Sequence, residues 1–172
     1  MEMWDLYDGE RQSLFRTHCR SKMMKPGEFH TIVDVWTVNS NKNILVTLRA
    51  PEKECYPNKW ENTGGSALSG ESSKQAAIRE LMEETGILAS QDELVLLDTY
   101  KDYEECGFAD IYLLHCDISI SNLTMQEGET VDAKWVTRVE LERMIVDKSL
   151  AVPVGIKFDY VKEKFLRYLD GL

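Results

Sequence analysis

Cysteine is scarce and scattered in this 172-residue chain: Cys19, Cys55, Cys106 and Cys116 form no C-x-x-C pair. Metal knuckles need close pairs and disulfide frameworks belong to small secreted domains, so the spacing argues for reduced thiols packed as small hydrophobes. No apolar run approaches the length that spans a bilayer. Positive charge is also short, with 20 Lys and Arg against 30 Asp and Glu and a net charge of −10. That balance argues against a nucleic-acid polymer as partner, because such binding neutralises phosphates with Lys and Arg. A small phosphate-bearing molecule stays open, since a bound cation reverses the local sign. The segment Met1 to Asp5 has neither the basic nor the apolar part of a secretory signal, and a cytoplasmic location without membrane attachment is expected. Repeats and low-complexity stretches are lacking as well.

What is there suits one α/β domain over residues 1–172, with 43% hydrophobic residues to build a core. Residues 1–28 are polar and mixed. They read as an N-terminal extension packed on the body through Trp4, Leu6, Tyr7, Leu14 and Phe15. Phe29 to Val38 is rich in β-branched and aromatic residues and predicts a strand. A turn cluster at 39–43 and a second strand, Ile44 to Leu48, complete an expected hairpin. A proline-containing loop runs from Pro51 to Trp60. After a glycine-rich passage, Thr63 to Ser66, comes the strongest helix of the chain. Two strands, Glu93 to Tyr100 and Phe108 to Cys116, flank the acidic turn Asp102 to Glu105. A short strand at Ala133 to Val136 and helices at Val139 to Val146 and Gly155 to Leu169 follow. In the last helix Phe158, Val161, Phe165 and Leu169 recur at helical spacing. Strands interleaved with helices imply a layered α/β domain.

The strong helix, from about Ser73 to Thr85, opens on a capping-box pair, Ser72 and Gln75, and Gly86 is placed to end it in a left-handed conformation. At about 100° per residue, Ile78, Leu81, Met82 and Thr85 share one arc. Glu80, Glu83 and Glu84 gather on the opposite arc with Arg79 at its flank, as near neighbours at spacings of three and four. Alone, that pattern reads either as a solvated acidic face or as a cage of hard oxygen ligands for a divalent cation.

The residues upstream decide between the two. Gly65, Glu71, Arg79, Glu80, Leu81, Glu83, Glu84, Gly86 and Ile87 fit G-x5-E-x7-R-E-U-x-E-E-x-G-U, where U is bulky and aliphatic. Seven fixed identities and two aliphatic sites would coincide at a given start with a probability on the order of 10⁻⁹ at average residue usage. The string resembles the Nudix box at every specified position, and the resemblance implies a Nudix fold, an α/β/α sandwich around a mixed central sheet. It further implies a Nudix-type hydrolase that uses Mg²⁺ or Mn²⁺ to cleave the diphosphate linkage of a nucleoside diphosphate derivative. In that family pattern the Gly65 carbonyl, Glu83 and Glu84 hold the metal and Glu80 is a ligand or the base for the attacking water. Arg79 and Glu71 orient the carboxylates. The ion offsets charge on the diphosphate and positions or acidifies the water. Gly64 and Gly65 are expected to bend the backbone tightly and present carbonyl oxygen without side-chain obstruction. A further acidic ligand is expected downstream at Glu127 or Glu129, the latter preferred, or else at Glu104 or Glu105. Homodimerisation is common in the family, although no segment here marks an interface.

Beyond the box, His30 to Val33, Leu45 to Arg49 and Trp60 to Thr63 resemble the branch containing type I isopentenyl-diphosphate isomerases. That raises proton transfer on an isoprenoid diphosphate as an alternative activity. The isomerase pattern asks for a cysteine just after Trp-x-Asn, where Gly64 and Gly65 stand, and for histidines where Met23 and Ala67 stand; only His30 remains. A second alternative is a catalytically silent Nudix-fold binding module, which would normally show eroded acidic residues. None is eroded. The contributors to substrate choice expected around the box are His30, Trp36, Arg49, Trp60, Tyr103, Phe108 and Tyr112, through stacking or phosphate pairing.

Overall fold

A computed structural model describes residues 2–171. Alternation of side chains builds the centre. Strand β3 (His30–Val38) is buried along its whole length. Val33 and Val35 point to one face and Trp36 and Val38 to the other. Strand β8 (Gly107–His115) repeats the pattern, with Tyr112 and Leu114 on the first face and Ile111 and Leu113 on the second. The two pair in parallel from His30↔Gly107 to Val38↔His115. Strands covered on both faces read as near-continuous apolar runs, as these do in the sequence.

The remaining strands extend the sheet outward in the order β5-β4-β3-β8-β7, where β4 is Ile44–Arg49, β5 Trp60–Glu61 and β7 Val95–Asp102. Strand β6 (Thr63–Ser66) pairs with β3 and β9 (Thr130–Val136) with β4, so the sheet is mixed. Helix α1 (Ser73–Thr85) covers one face through Ala76, Ala77 and Leu81. Helices α2 (Arg138–Val146) and α3 (Val152–Asp170) cover the other, where Phe158 and Phe165 meet Trp36 edge to face. This is the expected α/β/α sandwich. No helix among the described residues is long and apolar enough to cross a membrane, and all four cysteines are free.

The structure departs from expectation at several points. The hairpin of β3 and β4 closes through one pair only, Val38↔Ile44. Upstream of it β6 occupies the edge of β3, with Val33 opposite Gly65 and Asp34 opposite Gly64. The glycine passage is therefore an extended strand and not a bend; neither Gly64 nor Gly65 has positive φ. Residues 1–28 contribute a separate hairpin, β1 (Met3–Tyr7) and β2 (Ser13–Cys19), which went unpredicted. Trp4 and Leu6 attach it, but Phe15 is 95% exposed and holds nothing. Its anchors are polar: Arg11 grips Asp110 through two hydrogen bonds of 2.7 and 2.6 Å, and Asp5 accepts from the Ser69 hydroxyl and the Gly70 amide.

Candidate active site

Helix α1 is capped as its sequence implies. The Ser72 hydroxyl accepts from the Gln75 amide, the Gln75 side chain accepts from the Ser72 amide, and Gly86 closes the helix at φ 72°. Its carboxylates do not lie opposite the buried stripe. Glu80 and Glu84 flank Ala76 and Ala77, on the edge of the stripe that faces β6, while Met82, expected inside, is half exposed. The seam over β6 is apolar through alanines, whose small side chains let the helix approach and leave the longer Glu side chains to fill the margin.

That margin is a cavity of about 260 Å³, whose walls include Gly64, Gly65 and Ser66 of β6 and Arg79, Glu80, Glu83 and Glu84 of α1. Arg79 organises it. Its Nε and Nη2 donate to the two Glu71 oxygens at 2.8 and 3.0 Å, and Nη1 donates to Glu80 at 2.8 Å and Glu83 at 3.1 Å. Nη2 also donates to the Ser66 carbonyl at 3.0 Å, tying the helix to β6. A planar guanidinium suits this task because its fork matches a carboxylate with two parallel bonds. The Glu71 carboxyl is held low by Arg79 and by the Leu68 amide.

Glu80 and Glu84 are treated differently. Burial raises the Glu80 carboxyl, although Arg79 partly offsets it. Burial raises Glu84 well above the usual carboxylate range, repulsion from Glu61 and Glu80 adding to it and the Gly64 backbone easing it. Glu84 Oε2 is buried without a partner. A carboxylate without counter-charge and with one buried oxygen unpartnered is costly, and a hard cation is a group that satisfies it. The requirement for glycine at 65 is steric: a Cβ there would collide with the Glu80 carboxylate. Among the described residues no three His, Cys, Asp or Glu side chains converge at metal-ligating distance. Arg79 holds Glu80 and Glu83, so the oxygen donors fit a divalent cation in kind and gather within one cavity.

Of the downstream acidic residues, Glu129 lines this cavity with Gln126 and pairs with Lys53; Glu127 is not among its lining residues. Glu104 and Glu105 sit in the turn between β7 and β8, away from it, and Glu105 faces a second cavity instead. That second cavity, of about 330 Å³, lies on the α3 side of β6 and shares Arg20, Arg49, Gly64, Gly65 and Ser66 with the first. The expected contributors to substrate choice divide accordingly. Arg49 lines both cavities and pairs with Glu61 at 2.6 Å, and His30 lines the second. Trp36, fully buried against Phe158 and Phe165, is core and out of reach of any ligand. Phe108 and Tyr112 are also buried, the latter with its hydroxyl donating to Ser73. Trp60 packs against the α3-side core beneath Lys134, and Tyr103 is exposed with its edge toward Phe29.

Sequence reasoning missed Asn62, Asp34 and Lys157, all buried in the wall of the second cavity. A charged residue inside a strand with apolar neighbours was the available signal for Asp34. No local pattern marks Lys157 as its partner, 2.7 Å away. The isomerase pattern gains nothing from the geometry: Met23 is 94% exposed, Ala67 is packed under α1, and His30 stacks on Trp4 with ring centroids 4.0 Å apart.

Comparison with known proteins agrees with this frame. The family model described as NUDIX domain matches residues 28–153. An uncharacterized Nudix hydrolase of Listeria monocytogenes is 39% identical over 145 residues, covering 84% of this chain and 85% of the relative. An isopentenyl-diphosphate Delta-isomerase of Shigella flexneri is 28% identical over 120 residues, covering 67% of this chain and 66% of the isomerase. In fold, a solved Deinococcus radiodurans protein matches with a TM-score of 0.75 at 21% identity, covering 94% of this chain and 98% of the other. With the box whole from Gly65 to Ile87 and the sandwich formed around it, the chain belongs to the Nudix family and is a Nudix-type hydrolase.

Proposed function

We propose that this hydrolase cleaves the diphosphate linkage of a nucleoside diphosphate derivative with the help of Mg²⁺ or Mn²⁺, at the cavity between α1 and β6. The observation that carries the reading is Glu84, whose carboxylate has one buried oxygen without a partner, set beside Glu80 and the glycine strand. Glu83, Glu84 and the Gly65 carbonyl would hold the ion, with Glu129 completing the oxygen set from the loop before β9. A divalent cation there supplies offsetting charge for the diphosphate and lowers the pKa of an attacking water. Glu80 acts as a further ligand or as the proton acceptor, a role that its raised carboxyl suits. Arg79 and Glu71 position Glu80 and Glu83 through the bonds given above. Arg20 and Arg49, at the junction of the two cavities, supply positive charge for phosphate oxygens. A small molecule, and not a polymer or a membrane, fits the dimensions and the net charge of −10.

The deciding experiment is a panel of diphosphate compounds incubated with Mg²⁺, with Mn²⁺ and with chelator. Phosphate-containing products should appear from at least one nucleoside diphosphate derivative, and only with metal. Product formation in chelator at an undiminished rate would remove the metal assignment. Isopentenyl diphosphate in deuterated water should yield no dimethylallyl isomer.

A further inference from the structure

The cations that line the first cavity are all engaged, but not equally. Arg79, Arg49 and Lys53 are bound to carboxylates of the body, and in the Arg49–Glu61 pair the side chains are only 17% and 14% exposed. Arg20 is bound to Glu2, and there the exposures are 59% and 48%. Both residues belong to the N-terminal hairpin, Glu2 directly before β1 and Arg20 directly after β2, and both line the first cavity. The residues matched by the family model begin at 28, so neither lies within them. Their place at the rim is fixed by the loop that leads into α1. The Ser69 amide donates to the Met3 carbonyl at 2.7 Å, and Asp5 accepts from Ser69 and Gly70. Arg20 Nη1 donates to Glu2 at 2.6 Å, and among the described residues this is the one hydrogen bond of a guanidinium with five donors. Glu129 and Glu80, which line the same cavity, also act on its charge.

We propose that Glu2 competes with the substrate for Arg20, its carboxylate holding the guanidinium until a phosphate of the diphosphate takes over. The inference rests on the diphosphate reading above and adds to it an element that sets how tightly the site holds an anion. A carboxylate with one hydrogen bond to Arg20 leaves most of the guanidinium fork unused, whereas a phosphate can take two parallel bonds. An ion pair this exposed contributes little to stability, because water and salt screen it. The same weakness lets it open. Affinity for a ligand of Arg20 is then reduced by the fraction of the protein in which Glu2 occupies it. Arg49 is not exchanged in this way, since its departure would strand Glu61 as a buried charge without a partner. The hairpin is therefore more than a cover for β3 and β8: it brings to the cavity a cation for phosphate together with the anion that contests it.

Binding of inorganic pyrophosphate with Mg²⁺, measured by calorimetry on the full chain, reads the exchange without requiring turnover. Glu2→Gln should tighten binding about two- to sixfold, the share that an exposed pair can withhold, and Glu2→Ala should repeat the result. Arg20→Gln should weaken it about tenfold or more, and Arg20→Lys, which keeps the charge, should weaken it less. In the Arg20→Gln background, adding Glu2→Gln should change nothing, because no guanidinium is left to contest. A purely structural pair predicts the opposite sign: Glu2→Gln would lower the melting temperature and leave pyrophosphate binding unchanged or weaker, and that result would overturn the proposal. Equal tightening by Glu2→Gln in both backgrounds would also overturn it, by showing that Glu2 repels the anion without competing for Arg20. If no variant binds pyrophosphate while the diphosphate panel is turned over, the exchange falls and hydrolysis stands. The expected pattern of binding with no diphosphate turned over gives the reverse.

Discussion

The two cavities on either side of β6 treat their polar groups in opposite ways. On the α1 side the charges are many, but Arg79 joins Glu71, Glu80 and Glu83 into one network, and Glu84 keeps a buried oxygen without a partner. On the α3 side Asn62, His30 and Trp4 all keep buried polar atoms without partners, while Lys157 pairs with Asp34 and Arg49 with Glu61. An unsatisfied buried donor or acceptor costs about 1–3 kcal/mol, so these groups favour any partner, water or ligand, that enters the second cavity. The first is an assembly whose members orient one another around one buried carboxylate oxygen that the protein leaves unpartnered. The second is lined by buried polar atoms that the protein itself leaves without partners.

The sharpest way to break the contrast is to neutralise the single open position on the α1 side. Glu84→Gln should lower metal-dependent turnover by about 10²-fold or more, the scale of losing one preorganised electrostatic group. The same variant should melt at a higher temperature than the parent in chelator, because the amide removes a buried charge repelled by Glu61 and Glu80. A lower melting temperature would show that Glu84 is satisfied in the metal-free protein. Next, Gly65→Ala should cost on the order of 10²-fold in rate by displacing the Glu80 carboxylate. Circular dichroism should meanwhile remain that of the parent, since β6 is ordinary extended strand at this point. Arg79→Lys keeps the charge and loses the fork; activity or apparent metal affinity should fall about 10–100-fold, as for other groups that orient metal ligands. A titration of rate against Mg²⁺ concentration reads both.

The smallest effect is expected at the N-terminal hairpin, which brings Trp4 to the second cavity. Burial pushes the Asp110 carboxyl up, but hydrogen bonds from Arg11, Ser73 and Thr99 outweigh it and hold the carboxyl below its usual value. Its contribution to stability is therefore fully present above the unfolded-chain value of about 4 and is lost as pH falls through the lower folded value. Asp110→Asn should destabilise the protein by roughly 1–3 kcal/mol at neutral pH, with the difference from the parent shrinking below about pH 4. Urea melts across that range test the sign. A difference that grows on acidification would mean that the Arg11 pair does not anchor the hairpin.

Legibility in the sequence followed the range of the interactions. Helix α1, its capping box, its Gly86 stop and the carboxylate series were readable because their spacing lies within one helix. Strands β3 and β8 were readable because burial on both faces leaves them rich in β-branched, aromatic and aliphatic residues. The N-terminal hairpin was not, since its strands alternate weakly and are held by Asp110, Ser69 and Gly70, distant in sequence. Trp36, Phe108 and Tyr112 looked like candidates for stacking, because composition does not say whether an aromatic residue faces a core or a cavity. Met82 was placed inside by helical periodicity, yet the packing axis of α1 runs through Ala76, Ala77 and Leu81. Small residues carry little hydrophobic signal even where they set the closest approach.

By itself the sequence determined the family, the sandwich and the box residues that line one cavity, since fixed residues at fixed intervals on one strand and one helix carry their geometry with them. Tertiary structure alone decided that Gly65 is needed for the Glu80 carboxylate, that Glu129 and not Glu105 stands by the donors, and that Asn62, His30, Trp4 and Lys157 meet at one cavity. Those are relations between elements far apart in the chain. They exist because β3 and β4 part after one pair and admit β6 between the helical layers, an outcome of packing that no local pattern encodes.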